Sequence, residues 1–394
     1  MVRLCPPKIL LSQVIHILLT ILVVTKFLDF VRYLTPNTSG LDHVFPSKDS
    51  NMLDFVVLNT ERVSHAMKTL ESIRNSSHNP SGMYAVPVRK MDNVEIVVIV
   101  SKRVGNFATQ VIADLLELRH STGMWFSLSI CNASDSYFSE LHDIMQYVSN
   151  EVNIINIHPF DSHGMDSYKS MLQKELVDYW KCLSIETLAK YVLLIEDDAV
   201  PTPYFYEIVS SVAEQLDRRP SIDFVKLFHP MSLRKVPYYF QLSATALVLS
   251  CAVCCFVFRS LDHILWILTI SVYFTVVIGF FYSCQFFVDL RYAVVSSPYM
   301  VASESCCTPA VMFRSSSIQG LVRYLVSFSN STLAKDDLLD IAPFVSRMTD
   351  GNAVVHIGFI SSLRGTFVVL DSENELKRKT RTFRDLFSYI ISLF

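Results

Sequence analysis

Three consecutive carboxylates, Glu196-Asp-Asp198, close a run of apolar residues, Tyr191-Val-Leu-Leu-Ile195. Anions packed this closely repel one another, and at least one is driven toward its protonated form unless a cation intervenes. A hard divalent cation, Mg²⁺ or Mn²⁺, answers that repulsion by bridging carboxylate and phosphate oxygens. The plain alternative is an acidic helix start: Pro201 and Pro203 follow, and Asp198 would cap a helix beginning there. His356 follows the run Ala353-Val-Val355 much as the acids follow theirs, and a histidine beside carboxylates suits Mn²⁺ better than Mg²⁺. Asp336 and Asp337 precede two leucines, where both would form the acidic first turn of a helix. Lys102 and Arg103, after a further apolar run, either face an anionic ligand or lie in solvent.

The elements that position these residues are readable from pattern. Val94-Glu-Ile-Val-Val-Ile-Val100 has the near-continuous β-branched character of a strand buried on both faces. A polar turn through Gly105 and Asn106 follows it, then an amphipathic helix over Thr109–Leu118. Further strands are expected at Trp125–Ile130, Asn153–Ile157 and Tyr191–Ile195, with a helix over Tyr168–Lys190 between the last two. Strands alternating with helices predict an α/β domain with a mainly parallel sheet. Ligands of such sheets bind beyond the carboxyl ends of the strands, which is where the acidic triplet stands.

The composition asks for more than a soluble domain, since 51% of the 394 residues are hydrophobic. Three stretches are long and apolar enough to cross a hydrocarbon core, which takes roughly 20 helical residues. They run from Ile9 to about Leu28, from about Tyr239 to Phe258, and from Ile264 to Val288. Only Arg259-Ser-Leu-Asp-His263 separates the last two, which predicts a tight transmembrane hairpin. Arg3 and Lys8 place the N-terminal tail in the cytosol by the positive-inside rule, and a hairpin returns the chain to the lumenal side. Sequons at Asn37, Asn75, Asn132 and Asn330 fall in the predicted lumenal parts. Cys131, Cys182, Cys306 and Cys307 share that oxidising setting, with their pairing left open. The expected organisation is residues 1–34 as cytosolic tail and anchor, 35–90 as lumenal stem, 91–238 as the first half of the domain, 239–288 as the hairpin and 289–394 as the second half. A net charge of −3 without long basic blocks gives nucleic acid no footprint.

Several segments resemble glycosyltransferases of the GT-A class. Lys174-Glu-Leu-Val-Asp-Tyr179, Cys182, Tyr191 to Asp198 and Pro203-Tyr-Phe205 are similar to a block in the enzymes that add branching N-acetylglucosamine to N-glycans. Val355-His-Ile-Gly-Phe-Ile-Ser-Ser-Leu-Arg-Gly365 resembles their later His-x-Gly-x-x-Ser-Ser segment. With the inserted hairpin, nearly the whole chain resembles the post-GPI-attachment N-acetylgalactosamine transferases. That resemblance implies a Golgi membrane protein that transfers GalNAc from UDP-GalNAc, with inversion, to a mannose of the glycan on GPI-anchored proteins. It further implies Asp198 and His356 as metal ligands, and Glu196, Asp197, Lys102, Arg103, Lys174 and Asp178 on the nucleotide side. Asp336 or Asp337 would be the base. An N-glycan branching GlcNAc transferase and a noncatalytic membrane scaffold are the competing readings, and the hairpin counts against the first. The connections between hairpin and domain, His229 to Tyr238 and Asp289 to Pro298, keep the active site near the bilayer, which suits a lipid-anchored acceptor.

Overall fold

The computed structural model describes residues 52–77, 89–134, 138–157, 168–230 and 298–358, with scattered helical residues between Ser243 and Thr275. The chain divides into two compact units, one of 38–233 with 297–376, the other of 1–37, 234–296 and 377–394. All the strands belong to the former. Among the described residues no helix is long and apolar enough to cross a membrane. The expected spans, Asn37 and the segment after Gly358 lie largely or wholly outside the described residues.

The strands are β1 (Arg89–Val100), β2 (Met124–Asn132), β3 (Asn153–Asn156), β4 (Tyr191–Glu196), β5 (Ala199–Pro201), β6 (Phe224–Lys226), β7 (Met300–Ala302), β8 (Ala310–Arg314), β9 (Ser346–Thr349) and β10 (Val354–His356). The helices are α1 (Met52–Ser77), α2 (Phe107–Thr122), α3 (Ser139–Val148), α4 (Tyr168–Leu183), α5 (Phe205–Arg218), α6 (Ser315–Ser327) and α7 (Lys335–Ile341). Eight strands form one sheet in the order β3-β2-β1-β4-β8-β6-β9-β7, and β5 pairs with β10 in a small second sheet. The fold is α/β, as the pattern predicts.

The expectation of a mainly parallel sheet needs correcting. β3, β2, β1 and β4 run parallel, but β8 is antiparallel to both β4 and β6, and β7 is antiparallel to β9. The sheet is therefore mixed. The helix expected over Tyr168–Lys190 ends at Leu183, and Thr187 turns the chain by accepting the Ala189 amide at 3.0 Å. That turn leaves Tyr191 to enter β4, whose first five residues are all buried. Burial on both faces explains why β4 reads as an unbroken apolar run.

Part of the expected stem is built into this core. Phe55, Ala66, Leu70 and Ile73 of α1 are buried in the same cluster as β1, α2 and α3. From the same helix, Asn59 donates through Nδ2 to the Gly105 carbonyl at 2.8 Å, holding the turn after β1. Gly105 is required there: its φ is 125°, and a Cβ would stand 2.6 Å from the Phe107 ring.

Cys131 at the end of β2 is disulfide-bonded to Cys182 near the end of α4, and Cys306 is bonded to its neighbour Cys307. The sequon asparagine Asn132 is buried in this fold. Its side chain is 2% exposed, donates to Asn156 Oδ1 at 2.9 Å and accepts the Ser134 amide at 3.1 Å. Asn75 and Asn330 are exposed.

Candidate active site

Register brings the chemistry to one edge of the sheet. Ile99 of β1 pairs with Glu196 of β4, and Val100 pairs with Asn132 of β2, so three parallel strands end together. Ser101, Lys102 and Arg103 leave β1 at this edge. Ser101 donates its amide to Asp197 Oδ2 at 3.2 Å, and the Lys102 amide donates to Ser134 Oγ at 2.7 Å. Between them lies a cleft of about 420 Å³ that the Lys102, Arg103, Lys174 and Lys335 side chains line together with Glu196 and Asp197.

The acidic triplet caps no helix. The next helix, α5, starts seven residues beyond Asp198 with Tyr204 at its cap position, and the intervening Ala199–Pro201 is a strand. That strand carries the second half of the site. His356 of β10 is paired with Ala199, and the Ile357 amide donates to the Asp198 carbonyl at 2.8 Å. His356 Nε2 consequently lies 3.0 Å from Asp198 Oδ2. Glu196 joins them: one donor atom each from Glu196, Asp198 and His356 fall within 4.8 Å of one another. Glu196, expected on the nucleotide side, thus stands with the two expected ligands.

This cluster fits a divalent cation on three observations. Two carboxylates and an imidazole are donors of the kinds that hold divalent cations. Asp198 Oδ1 is buried and accepts no hydrogen bond, an omission that costs stability unless something takes that lone pair. Gly358 presses against the same carboxylate, where a Cβ would lie 2.1 Å from Asp198 Oδ2. Asp197 is differently occupied, by Ser101 and by an ion pair to Arg103.

Charge compensation is local. Arg103 bridges Asp197 and Asp198, its Nη2 lying 3.0 Å from Asp198 Oδ2. Burial pushes the Asp198 carboxyl up, but Arg103 and His356 outweigh it and hold it well below the usual carboxylate range. Burial works against the His356 cation, and Asp198 overcomes that and raises the ring above its ordinary value. Glu196 is raised by burial and by Asp198, with Lys335 opposing. Burial of Lys335 favours its neutral form, yet Glu175 and Glu196 more than restore the charge and raise it well above the ordinary lysine value.

Lys335 is the residue that sequence reasoning missed. It is buried at the first position of α7, ion-paired to Glu175 of α4 and 2.9 Å from Glu196 Oε1, with its ammonium 5.6 Å from the Tyr179 ring centroid. Its one sequence signal is adjacency to Asp336. Both Asp336 and Asp337 do lie in the acidic first turn of α7. Asp336 is half-buried and accepts from Thr308 Oγ1 at 2.7 Å, whereas Asp337 is exposed. Lys174 pairs with Asp178 and donates to the Ala133 carbonyl at 3.2 Å, and both residues line the cleft.

Residues 94–349 match the family of GPI-N-acetylgalactosamine transferase PGAP4. The chain belongs to that family. Its members are glycosyltransferases that modify GPI, and the match begins in β1 and ends with β9, enclosing the acidic triplet, α4 and α7. Among solved structures, the mannosyltransferase Ktr4p from S. cerevisiae is 9% identical, with a TM-score of 0.30, covering 83% of this chain and 93% of that one. Its complex with GDP is 10% identical at the same TM-score of 0.30, covering 92% and 98%. A TM-score of 0.30 is too low for either likeness to bear on the fold or the site.

Proposed function

We propose that this member of the family transfers N-acetylgalactosamine from UDP-GalNAc, with inversion, to a mannose of the GPI glycan, in a metal-dependent reaction of a GT-A domain. The observation that carries the reading is the Glu196, Asp198 and His356 cluster, whose Glu196 also lines a cleft shared with four cationic side chains. Those three residues would hold the cation, and Mn²⁺ bound there would neutralise charge building on the departing diphosphate. Arg103, Lys102, Lys174 and Lys335 supply fixed positive charge to the same phosphates. To act as a ligand His356 gives up the proton it shares with Asp198, so binding of the cation is expected to release protons. Ser101 and the Ala199 to His356 strand pairing fix the acids before substrate arrives, so little reorganisation is needed at the moment of reaction.

Inversion requires a base on the opposite side of the sugar. Asp336 fits that role better than Asp337, because Thr308 orients its carboxylate and it stands next to the Lys335 that reaches Glu196. The acceptor hydroxyl would give its proton to Asp336 as the oxygen attacks the anomeric carbon.

The reading includes a Golgi membrane protein with three spans, a cytosolic N-terminus and a lumenal domain split by the hairpin. Support comes from the apolar runs, and from a folded unit assembled out of two chain segments that flank residues 234–296. The deciding experiment measures donor hydrolysis and transfer by the purified protein across a panel of UDP-sugars, with and without Mn²⁺. Turnover of UDP-GalNAc that depends on Mn²⁺ is expected. Turnover of UDP-GlcNAc alone would move the assignment to a branching-type enzyme.

A further inference from the structure

A second cavity, of about 560 Å³, opens beside α1 and α2 and takes no part in the site described above. Its size falls within the range of about 300–1,000 Å³ typical of small-molecule pockets. Glu61, Asp114 and Glu117 line it together with Arg62 and His65. A lining with excess negative charge disfavours phosphate, sulfate and nucleotides. Burying a plain lipid chain against those carboxylates would strip their water without replacing it.

Gln110 lines the cavity as well. Gln110 is 2% exposed, and its Nε2 donates to Asn59 Oδ1 at 3.0 Å and to the Asn106 carbonyl at 3.2 Å. Those two acceptors fix the amide orientation and leave Oε1 buried without a partner. Leu118, Val200, Pro201 and Pro203 supply an apolar wall. The ligand that satisfies both surfaces carries hydroxyl donors around its edge and a C–H face, which is the chemistry of a neutral sugar ring.

Two connections join this cavity to the reaction. Val200 and Pro201 follow Asp198 within two or three residues and pair with Val355 and Val354, directly before His356. On the other side, the Asn59 that fixes Gln110 also holds the Gly105 carbonyl, two residues after Arg103. The cavity therefore shares one strand pair with Asp198 and His356 and, through Asn59, adjoins the turn that follows Arg103.

We infer that this cavity is a subsite for neutral hexose residues of the acceptor glycan, separate from the sugar whose hydroxyl reacts. The inference rests on the function proposed above and deepens it. Asp114 adds support: burial and Glu117 raise its carboxyl to about 7 against the pull of Arg62, a cost in folding stability of the kind seen at functional sites.

The test uses the full-length protein in detergent and two substitutions at exposed lining positions, Glu117→Lys and Ser121→Trp. Transfer kinetics from UDP-GalNAc to a GPI-anchored protein are measured beside saturation-transfer NMR with mannotriose, with inorganic phosphate as the anionic control. The expected result is a rise of about tenfold or more in KM for the acceptor, as for loss of a hydrogen bond to a charged group. The KM for UDP-GalNAc and the unfolding midpoint stay as in the wild type, the mannotriose signal disappears from the variants, and phosphate gives no signal in any protein. An acceptor KM unchanged in both variants, or a mannotriose signal absent from the wild type or undiminished in the variants, overturns the inference. If the wild type transfers no GalNAc but the variants still lose mannotriose, the proposed activity falls and the glycan subsite stands.

Discussion

Gly358→Ala offers a sharp test of the proposed metal site, because the substitution adds a single methyl group and removes no functional atom. A Cβ built at Gly358 lies 2.1 Å from Asp198 Oδ2, 3.0 Å from its Cγ and 3.3 Å from its Cβ. Contacts below 3.0 Å are essentially never made by real Cβ atoms, so the carboxylate must retreat by about 1 Å. It has little freedom to do so harmlessly. Oδ2 lies 3.0 Å from both His356 Nε2 and Arg103 Nη2, and the Asp198 carbonyl is held by the Ile357 amide. Metal sites tolerate displacements of about 0.2 Å in ligand distance, so a 1 Å shift amounts to losing the ligand. A misplacement of that size costs about 10²-fold in turnover, or about 2.7 kcal/mol of transition-state stabilisation. Mn²⁺ affinity, read by electron paramagnetic resonance titration in the presence of UDP, should fall together with the rate while circular dichroism stays native. Gly320→Ala is the internal control. There the nearest contact is the Phe344 ring at 3.4 Å, an ordinary distance, and alanine in α6 should add up to about 1 kcal/mol of stability. Wild-type Mn²⁺ affinity and turnover in Gly358→Ala would refute the assignment of Asp198 as a ligand.

Asp336→Asn should lower kcat by about 10²- to 10⁴-fold with Mn²⁺ affinity intact, whereas exposed Asp337→Asn should behave as wild type; equal losses from both would remove Asp336 as the base. Cys131→Ser opens a disulfide with a sequence separation of 51, which chain-entropy reasoning values at about 4 kcal/mol, and chemical denaturation that finds no loss of stability would contradict the bond. Asp114→Asn tests a sign. Burial raises the wild-type carboxyl to about 7, so its contribution to stability is full below the ordinary aspartate pKa of about 4 and is lost as pH rises through 7. The asparagine variant lacks that loss, and its unfolding midpoint should match wild type near pH 4 and exceed it near pH 8; the reverse order would show that Asp114 is ionised and stabilised in the fold.

What the sequence by itself determined is local. The unbroken β-branched run at Val94–Val100 and the run Tyr191–Ile195 announce buried strands, because a strand covered on both faces needs apolar side chains at every position. The acids at the end of the second run could be placed at a strand's carboxyl end for the same reason, and His356 by its own short run. The pattern stops short of anything that depends on which distant segments meet. Asp198 and His356 are 158 residues apart, and Lys335 and Glu175 are 160 apart; these contacts exist only because β10 pairs with β5 and α7 docks on α4. Hydrophobic periodicity carries no record of partner or direction, so it gave neither the antiparallel setting of β8 nor the Cys131–Cys182 pairing. Burial is likewise a tertiary outcome. The same Asn-x-Ser pattern that reads as a glycan acceptor at Asn132 lies at a strand end and spends its amide on Asn156, and a lysine that would read as solvated surface becomes, between Glu175 and Glu196, part of the charge balance of the cleft.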